Sequence, residues 1–217
     1  PSELDLAVSG ESTDPIGSLA TSLSGVVYSK SEFGTAKLDI DGIRLDMART
    51  RREKYVKPGA LPTVEFTRSI EEDLSRRDFT INAMAISLNI ATRWELIDPF
   101  EGSRDLASKQ IRVLPRRSFV DDATRILRAI RYATRLSLDL VPETSILIEN
   151  QLSYLGMIHG DRIRHELIRI FSEEKQAEIL NLAESLGILR AIHPSLGLNN
   201  TIVSNCRNPL ADRDKWC

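Results

Sequence analysis

The chain has 217 residues, 41% hydrophobic and 28% charged, with a formal net charge of −2. That composition belongs to a folded globular chain and excludes a disordered or membrane-like one. The near-neutral balance excludes a globally basic nucleic-acid binder, so any polyanion site has to be a local patch; Cys206 and Cys217 carry no disulfide spacing and point to a reducing, cytoplasmic setting.

Glu3-Leu4-Asp5-Leu6-Ala7-Val8 alternates polar and apolar residues, the period-two pattern of a half-buried strand. It starts so abruptly after Pro1-Ser2, and Asp212 to Cys217 stops so far from a finished element, that the chain reads as a piece of a longer protein. A helix is expected around residues 16–24. Residues 37–48 read as a hairpin turned at Asp41-Gly42, a strong two-residue turn signal. In its second strand Ile43, Leu45 and Met47 point one way and Arg44, Asp46 and Ala48 the other. A short helix is expected from about Asp73, read as its N-cap, and a further strand over 82–88. From about 119 the pattern turns helical: 121–136 and 162–171 carry 3.6-residue periodicity, 175–186 is a third candidate, and Pro115 and Pro142 punctuate the first. The fold class is therefore α+β, a mixed β-sheet domain followed by an all-helical region, with the boundary near 114–120.

Two features carry chemistry. Glu3 and Asp5 lie two apart on one strand, so their carboxylates leave the same face. At that spacing they can converge on hard divalent cations, as two-metal phosphoryl chemistry needs, with Asp46 on the polar face of the hairpin as a third ligand. The alternative is a solvated strand face. The second feature is the segment from Asp121 to Arg135. At about 100° per residue, Arg125, Arg128, Arg131 and Arg135 share one side, opposite Ile126, Leu127, Ile130 and Ala133, with Asp122 at the edge. A face built from arginine alone asks for an anionic partner: phosphates and base edges, or acids elsewhere in the fold.

These residues and the segments between them resemble the class II tRNA nucleotidyltransferase and bacterial poly(A) polymerase family. Glu3 to Val8 falls where that family has its metal-binding strand. Phe33-Gly34-Thr35-Ala36, Arg49 to Tyr55 and Pro58-Gly59-Ala60-Leu61-Pro62 resemble the region that follows. Asp73-Leu74-Ser75-Arg76-Arg77-Asp78-Phe79-Thr80-Ile81-Asn82-Ala83 is the most specific match. Asp98 to Leu106, Asp121-Asp122-Ala123-Thr124-Arg125 and Asp161 to Leu167 complete the series, so the likeness runs from residue 3 to about 197.

The resemblance implies a nucleotidyltransferase head over 1–113, a helical neck that recognises the base over 114–173, and the start of a helical body over 174–217. It implies Mg²⁺, two ions, held by Glu3 and Asp5 as catalytic residues, to which the hairpin reading adds Asp46 as a metal ligand. It also implies contact of Arg77 with the nucleotide, pairing of Asp122 and Arg125 with the base edge, and Arg128 and Arg131 supporting that site or holding phosphates. The expected partners are the tRNA 3′ end with ATP and/or CTP. The expected reaction is attack of the RNA 3′-hydroxyl on the nucleotide α-phosphate. CCA, CC or A addition, poly(A) synthesis and a non-catalytic RNA-binding relative remain open. Glu3 stands where the family usually has Asp, and the family's Gly-Gly-x-x-Arg-Asp segment, which grips the triphosphate, has no counterpart before it. His159, His165 and His193 read as structural, Asp98 and Asp105 as loop and cap residues, and Phe79 and Ile81 as core. Asp78 either orients Arg77 or caps a helix.

Overall fold

The computed structural model describes residues 3–10, 14–31, 33–115 and 117–197; the readings placed on Cys206 and Cys217 lie outside the described residues. Contacts divide the chain into two compact units, one of Pro1–Lys54 with Pro62–Arg76, the other of Tyr55–Leu61 with Arg77–Cys217.

The first unit runs β1 (Glu3–Val8), α1 (Pro15–Ser22), β2 (Val26–Lys30), β3 (Thr35–Ile40), β4 (Ile43–Arg49), β5 (Arg51–Lys54), β6 (Thr63–Phe66) and α2 (Ile70–Ser75). Four strands form one sheet in the order β1-β4-β3-β2. The hairpin at its centre forms as the sequence predicts. Asp41 (φ 51°) and Gly42 (φ 82°) both take positive φ, the conformation whose twist matches paired strands. The Asp39 carboxylate accepts from the Gly42 N–H at 2.9 Å. Alternation then puts Leu38, Leu45 and Met47 on the face that packs with Ile16 and Ala20 of α1, with Leu6 and Val8 joining from β1. Leu4, at 45% exposed, lies beyond this core.

Helix α2 starts earlier than expected. Its N-cap is Ser69, whose hydroxyl accepts from the Glu72 N–H at 3.2 Å, not Asp73. Ser69 with Glu72 three residues on has the spacing of a capping box, a better start signal than Asp73. Asp73 is buried and anchors the chain instead. Its carboxylate accepts from the Arg51 N–H at 3.0 Å and pairs with Arg76 at 2.8 Å, tying α2 to β5.

Apart from Tyr55–Leu61, the second unit begins at Arg77. It contains a 3₁₀ turn at Thr80–Asn82, β7 (Ala85–Ile86), a 3₁₀ turn at Ile90–Thr92, β8 (Leu96–Ile97), α3 (Gly102–Ala107) and β9 (Gln110–Ile111). Then come α4 (Ser118–Asp121), α5 (Thr124–Leu136), β10 (Asp139–Leu140), α6 (Pro142–Gln151), a 3₁₀ stretch at Leu152–Met157, α7 (Gly160–Phe171), α8 (Gln176–Ser185) and α9 (Ile188–Ile192). The expected strand over 82–88 shrinks to two residues. Asn82 is held in the 3₁₀ turn because Asp78 accepts from both the Phe79 N–H and the Asn82 amide at 3.0 Å. The helix expected over 121–136 forms as α5 from Thr124, and α4 ends at Asp121, with a break at Asp122 and Ala123 between them.

The core of this unit gathers Ile126, Leu127, Ile130 and Ala133 of α5 with Phe79, Ile111, Phe119, Ile148, Ile163, Ile170 and Ile179. Residues 77–113 share that core through Phe79, Ile111 and Val113. Asp98 accepts from Gly102 and Ser103 at the start of α3, as its reading as a cap residue requires. Among the described residues no helix is long and apolar enough to cross a membrane.

Candidate active site

In the first unit the parallel register of β1 on β4 sets Asp5 opposite Asp46 and Glu3 opposite Arg44. The next pairings set Asp46 opposite Lys37 and Lys37 opposite Ser29. Ladder partners leave the same face of a sheet, so Asp5, Asp46, Lys37 and Ser29 form one row across four strands. That face is the one turned away from Leu38, Leu45 and Met47. Asp5 is exposed. Lys37 Nζ donates to both Asp46 carboxylate oxygens, at 3.0 and 2.7 Å. Both side chains stay wet, at 49% and 32% exposed.

Neighbouring strands lie about 4.8 Å apart, which brings the Asp5 and Asp46 carboxylates within reach of one hard cation, and oxygen donors are what such a cation takes. The donor set fits. Glu3 precedes Asp5 by two residues on β1, but its side chain lies outside the described residues, among which no group of three His, Cys, Asp or Glu converges to hold a metal.

In the second unit the charged groups at the start of α5 are held by neighbours. Asp122 Oδ1 accepts from the Thr124 N–H at 3.0 Å and the Thr124 hydroxyl at 2.6 Å. Its Oδ2 pairs with Arg162 of α7 at 2.7 Å. A carboxylate offers about four acceptor positions, so one remains on Oδ2. Arg162 also donates to the Gly59 carbonyl at 3.4 Å. Gly59 has φ 71°, and a Cβ there would meet the Met157 carbonyl oxygen at 2.9 Å. Arg125 is buried, and its Nη1 donates to the Ser118 hydroxyl at 2.7 Å. Beside it, burial pushes the Asp121 carboxyl above the usual carboxylate range, against the pull of Arg117 and Arg125.

The arginine side of α5 is not an open basic surface. Arg128 pairs with Asp78 at 2.6 Å and its guanidinium lies 5.4 Å from the Tyr132 ring centre. Burial is the largest single influence and works to lower the Arg128 pKa, but Asp78, Tyr132 and Glu166 together hold the guanidinium above its ordinary value. Arg131 is 6% exposed and faces Glu166 and Glu173 at 3.6 and 3.3 Å. Arg135 reaches Glu173 at 3.9 Å. Of the two partners that the sequence leaves open for this face, acids of the same fold meet Arg128, Arg131 and Arg135. Arg77 donates to the Asn82 carbonyl at 3.3 Å.

Sequence reasoning did not single out Lys37, Ser118, Arg162, Glu166 or Glu173. Lys37 was within reach: counting back from the two-residue turn sets it opposite Asp46. Arg162 and Glu166 lie in a motif of the family, but the partners Asp122 and Arg131 are distant in sequence, and periodicity along one helix does not reveal them.

A family model for the "Poly A polymerase head domain" matches residues 1–112, and one for the "Probable RNA and SrmB- binding site of polymerase A" matches residues 137–198. The A-adding tRNA nucleotidyltransferase of Geobacter sulfurreducens is 42% identical over 199 residues, covering 90% of this chain and 22% of the relative. The CC-adding tRNA nucleotidyltransferase of Deinococcus radiodurans is 37% identical, covering 86% and 50%. A solved tRNA nucleotidyltransferase complexed with a primer tRNA and an incoming ATP analog superposes with a TM-score of 0.79 at 38% identity, covering 92% of this chain and 57% of that one. The chain thus spans half the length or less of these curated relatives. With its mixed sheet, its helical region and its ordered motifs, the chain belongs to the poly A polymerase head-domain family, the tRNA nucleotidyltransferase and bacterial poly(A) polymerase family that its sequence resembles.

Proposed function

We propose that this chain carries the transfer chemistry of a template-independent RNA nucleotidyltransferase that adds A and/or C nucleotides to the 3′ end of tRNA. The observation that carries the reading is Asp5 standing in register beside Asp46 on the open face of the sheet, in a region matched by the family's head. Asp5 and Asp46, with Glu3, would hold Mg²⁺, two ions by expectation, which would neutralise the triphosphate and favour the ionised RNA 3′-oxygen. That oxygen forms a bond to the α-phosphorus, the bond from the α-phosphorus to the bridging oxygen breaks, and pyrophosphate leaves. Position and charge, with no covalent intermediate, are the protein's contribution.

Base choice belongs to the second unit. The acceptor position left on Asp122 Oδ2 suits the exocyclic amino group that adenine and cytosine share, and Arg125 supplies donors to the neighbouring ring nitrogen. Arg128 and Arg131 act as positioning residues, since Asp78, Glu166 and Glu173 already engage them. The A-adding relative, at 42% identity against 37% for the CC-adding one, favours ATP as the nucleotide used.

The test offers the whole protein, with Mg²⁺, three tRNAs ending before CCA, after the first C and after CC, each with CTP and ATP apart and together. Growth of only the CC-ended tRNA, by one A, is the expected result. Growth of all three to CCA, or a long A tail, keeps the chemistry and changes the product. No growth on any end, with RNA binding intact, overturns the reading.

A further inference from the structure

The row Asp5–Asp46–Lys37–Ser29 contains one charged group that no step above uses. Lys37 lies on the same face as both carboxylates and holds both oxygens of Asp46. Two carboxylates on neighbouring strands repel, and like charges opposite one another weaken a sheet. A cation beside them removes that cost. Yet the pair sits in water, with Lys37 half exposed, and ion pairs of this kind are worth little and break readily.

We propose that Lys37 is a built-in placeholder cation: it neutralises Asp46 while no divalent ion is there, gives up the carboxylate to the ion, and then turns its charge to the polyphosphate of the nucleotide. The inference rests on reading Asp5 and Asp46 as metal ligands. Both parts follow from position. An ammonium bound to both oxygens of a ligand competes directly with a metal for them. Released, it stays tethered one strand away, about 4.8 Å from the Asp46 backbone, on the face where the triphosphate would lie. Lysine suits the task, because its compact, mobile ammonium re-pairs without a fixed fork geometry.

The two parts predict opposite signs for one substitution. In the whole protein without nucleotide, Mn²⁺ binding counted by paramagnetic resonance should tighten by about two- to five-fold in Lys37→Met, the range an exposed ion pair allows. The dissociation constant of the variant for a non-hydrolysable ATP analogue with Mg²⁺ should rise by a similar factor. A loss of structure would weaken both, so the split in sign separates the role from damage. Mn²⁺ binding by Lys37→Met that is unchanged or weaker overturns the proposal. Asp5→Asn separates the layers. If it abolishes Mn²⁺ binding while Lys37→Met has no effect, only the placeholder role fails. If it binds Mn²⁺ like wild type, the metal-ligand reading fails, and the placeholder with it.

Discussion

The two units hold their charges in contrasting ways. On the sheet face of the first, Asp5 is exposed and Asp46 is held by a half-exposed lysine. In the second, Asp122 is fixed by Thr124 and Arg162, Arg125 is buried against Ser118, and Arg128 and Arg131 are locked to Asp78, Glu166 and Glu173. Loosely held carboxylates suit ligands that must come and go with every turnover. Tightly held ones suit a surface that must keep one shape in order to discriminate between bases, because a misplacement of about 1 Å can cost about 100-fold. Charge alone does not tell these uses apart; burial and partners do.

Substitutions can break or sharpen that contrast. The largest effect is expected from Asp5→Ala, which should lower nucleotide incorporation by about 10³-fold or more, the several kcal/mol that metal-assisted charge stabilisation supplies. Because Asp5 is exposed, its thermal unfolding should move by no more than about 0.5 kcal/mol. A large loss of stability would place Asp5 in the fold rather than in the chemistry. Arg131→Ala should behave in the opposite way. It leaves Glu166, whose side chain is 6% exposed, with only the exposed Arg169 as partner, and should cost about 2 kcal/mol in denaturant unfolding. Stability close to wild type would remove the distinction between the two units.

Arg162→Ala acts between these extremes. Losing the charged partner of Asp122 should reduce discrimination between ATP and GTP by about tenfold, with tRNA affinity little changed. Unaltered selectivity would mean that Thr124 alone fixes the carboxylate. The smallest effect is Asp98→Ala, which frees the first N–H groups of α3 and should cost about 1 kcal/mol of stability, with incorporation unchanged per folded molecule.

Much of the first unit was legible before the structure. The Asp41-Gly42 turn fixes the hairpin, alternation fixes which face Asp46 takes, and the quoted motifs mark the nucleotidyltransferase family. Local competition blurred other parts. Asp73 looks like a helix cap, but Ser69 stands four residues earlier with Glu72 at the capping-box position. The segment after Arg77 looks extended, but Asp78 bonds forward to Phe79 and Asn82 and coils it. The arginine spacing on α5 was read correctly as one side of a helix; which of two anionic partners that side meets was left open. Its acidic partners come from residue 78 and from residues 166 and 173, and no pattern local to α5 encodes them. Burial of Arg125 and Arg131 is likewise a property of the assembled core, not of helical period.

The most direct test of the account is single-turnover transfer from labelled ATP to a tRNA ending in CC, comparing the whole protein with its Asp5→Asn variant at saturating Mg²⁺. The wild type should add one adenosine and the variant should do so at a rate at least about 10³-fold lower, with both proteins binding the tRNA equally. Equal rates for the two, or no transfer by the wild type despite tRNA binding, would contradict it.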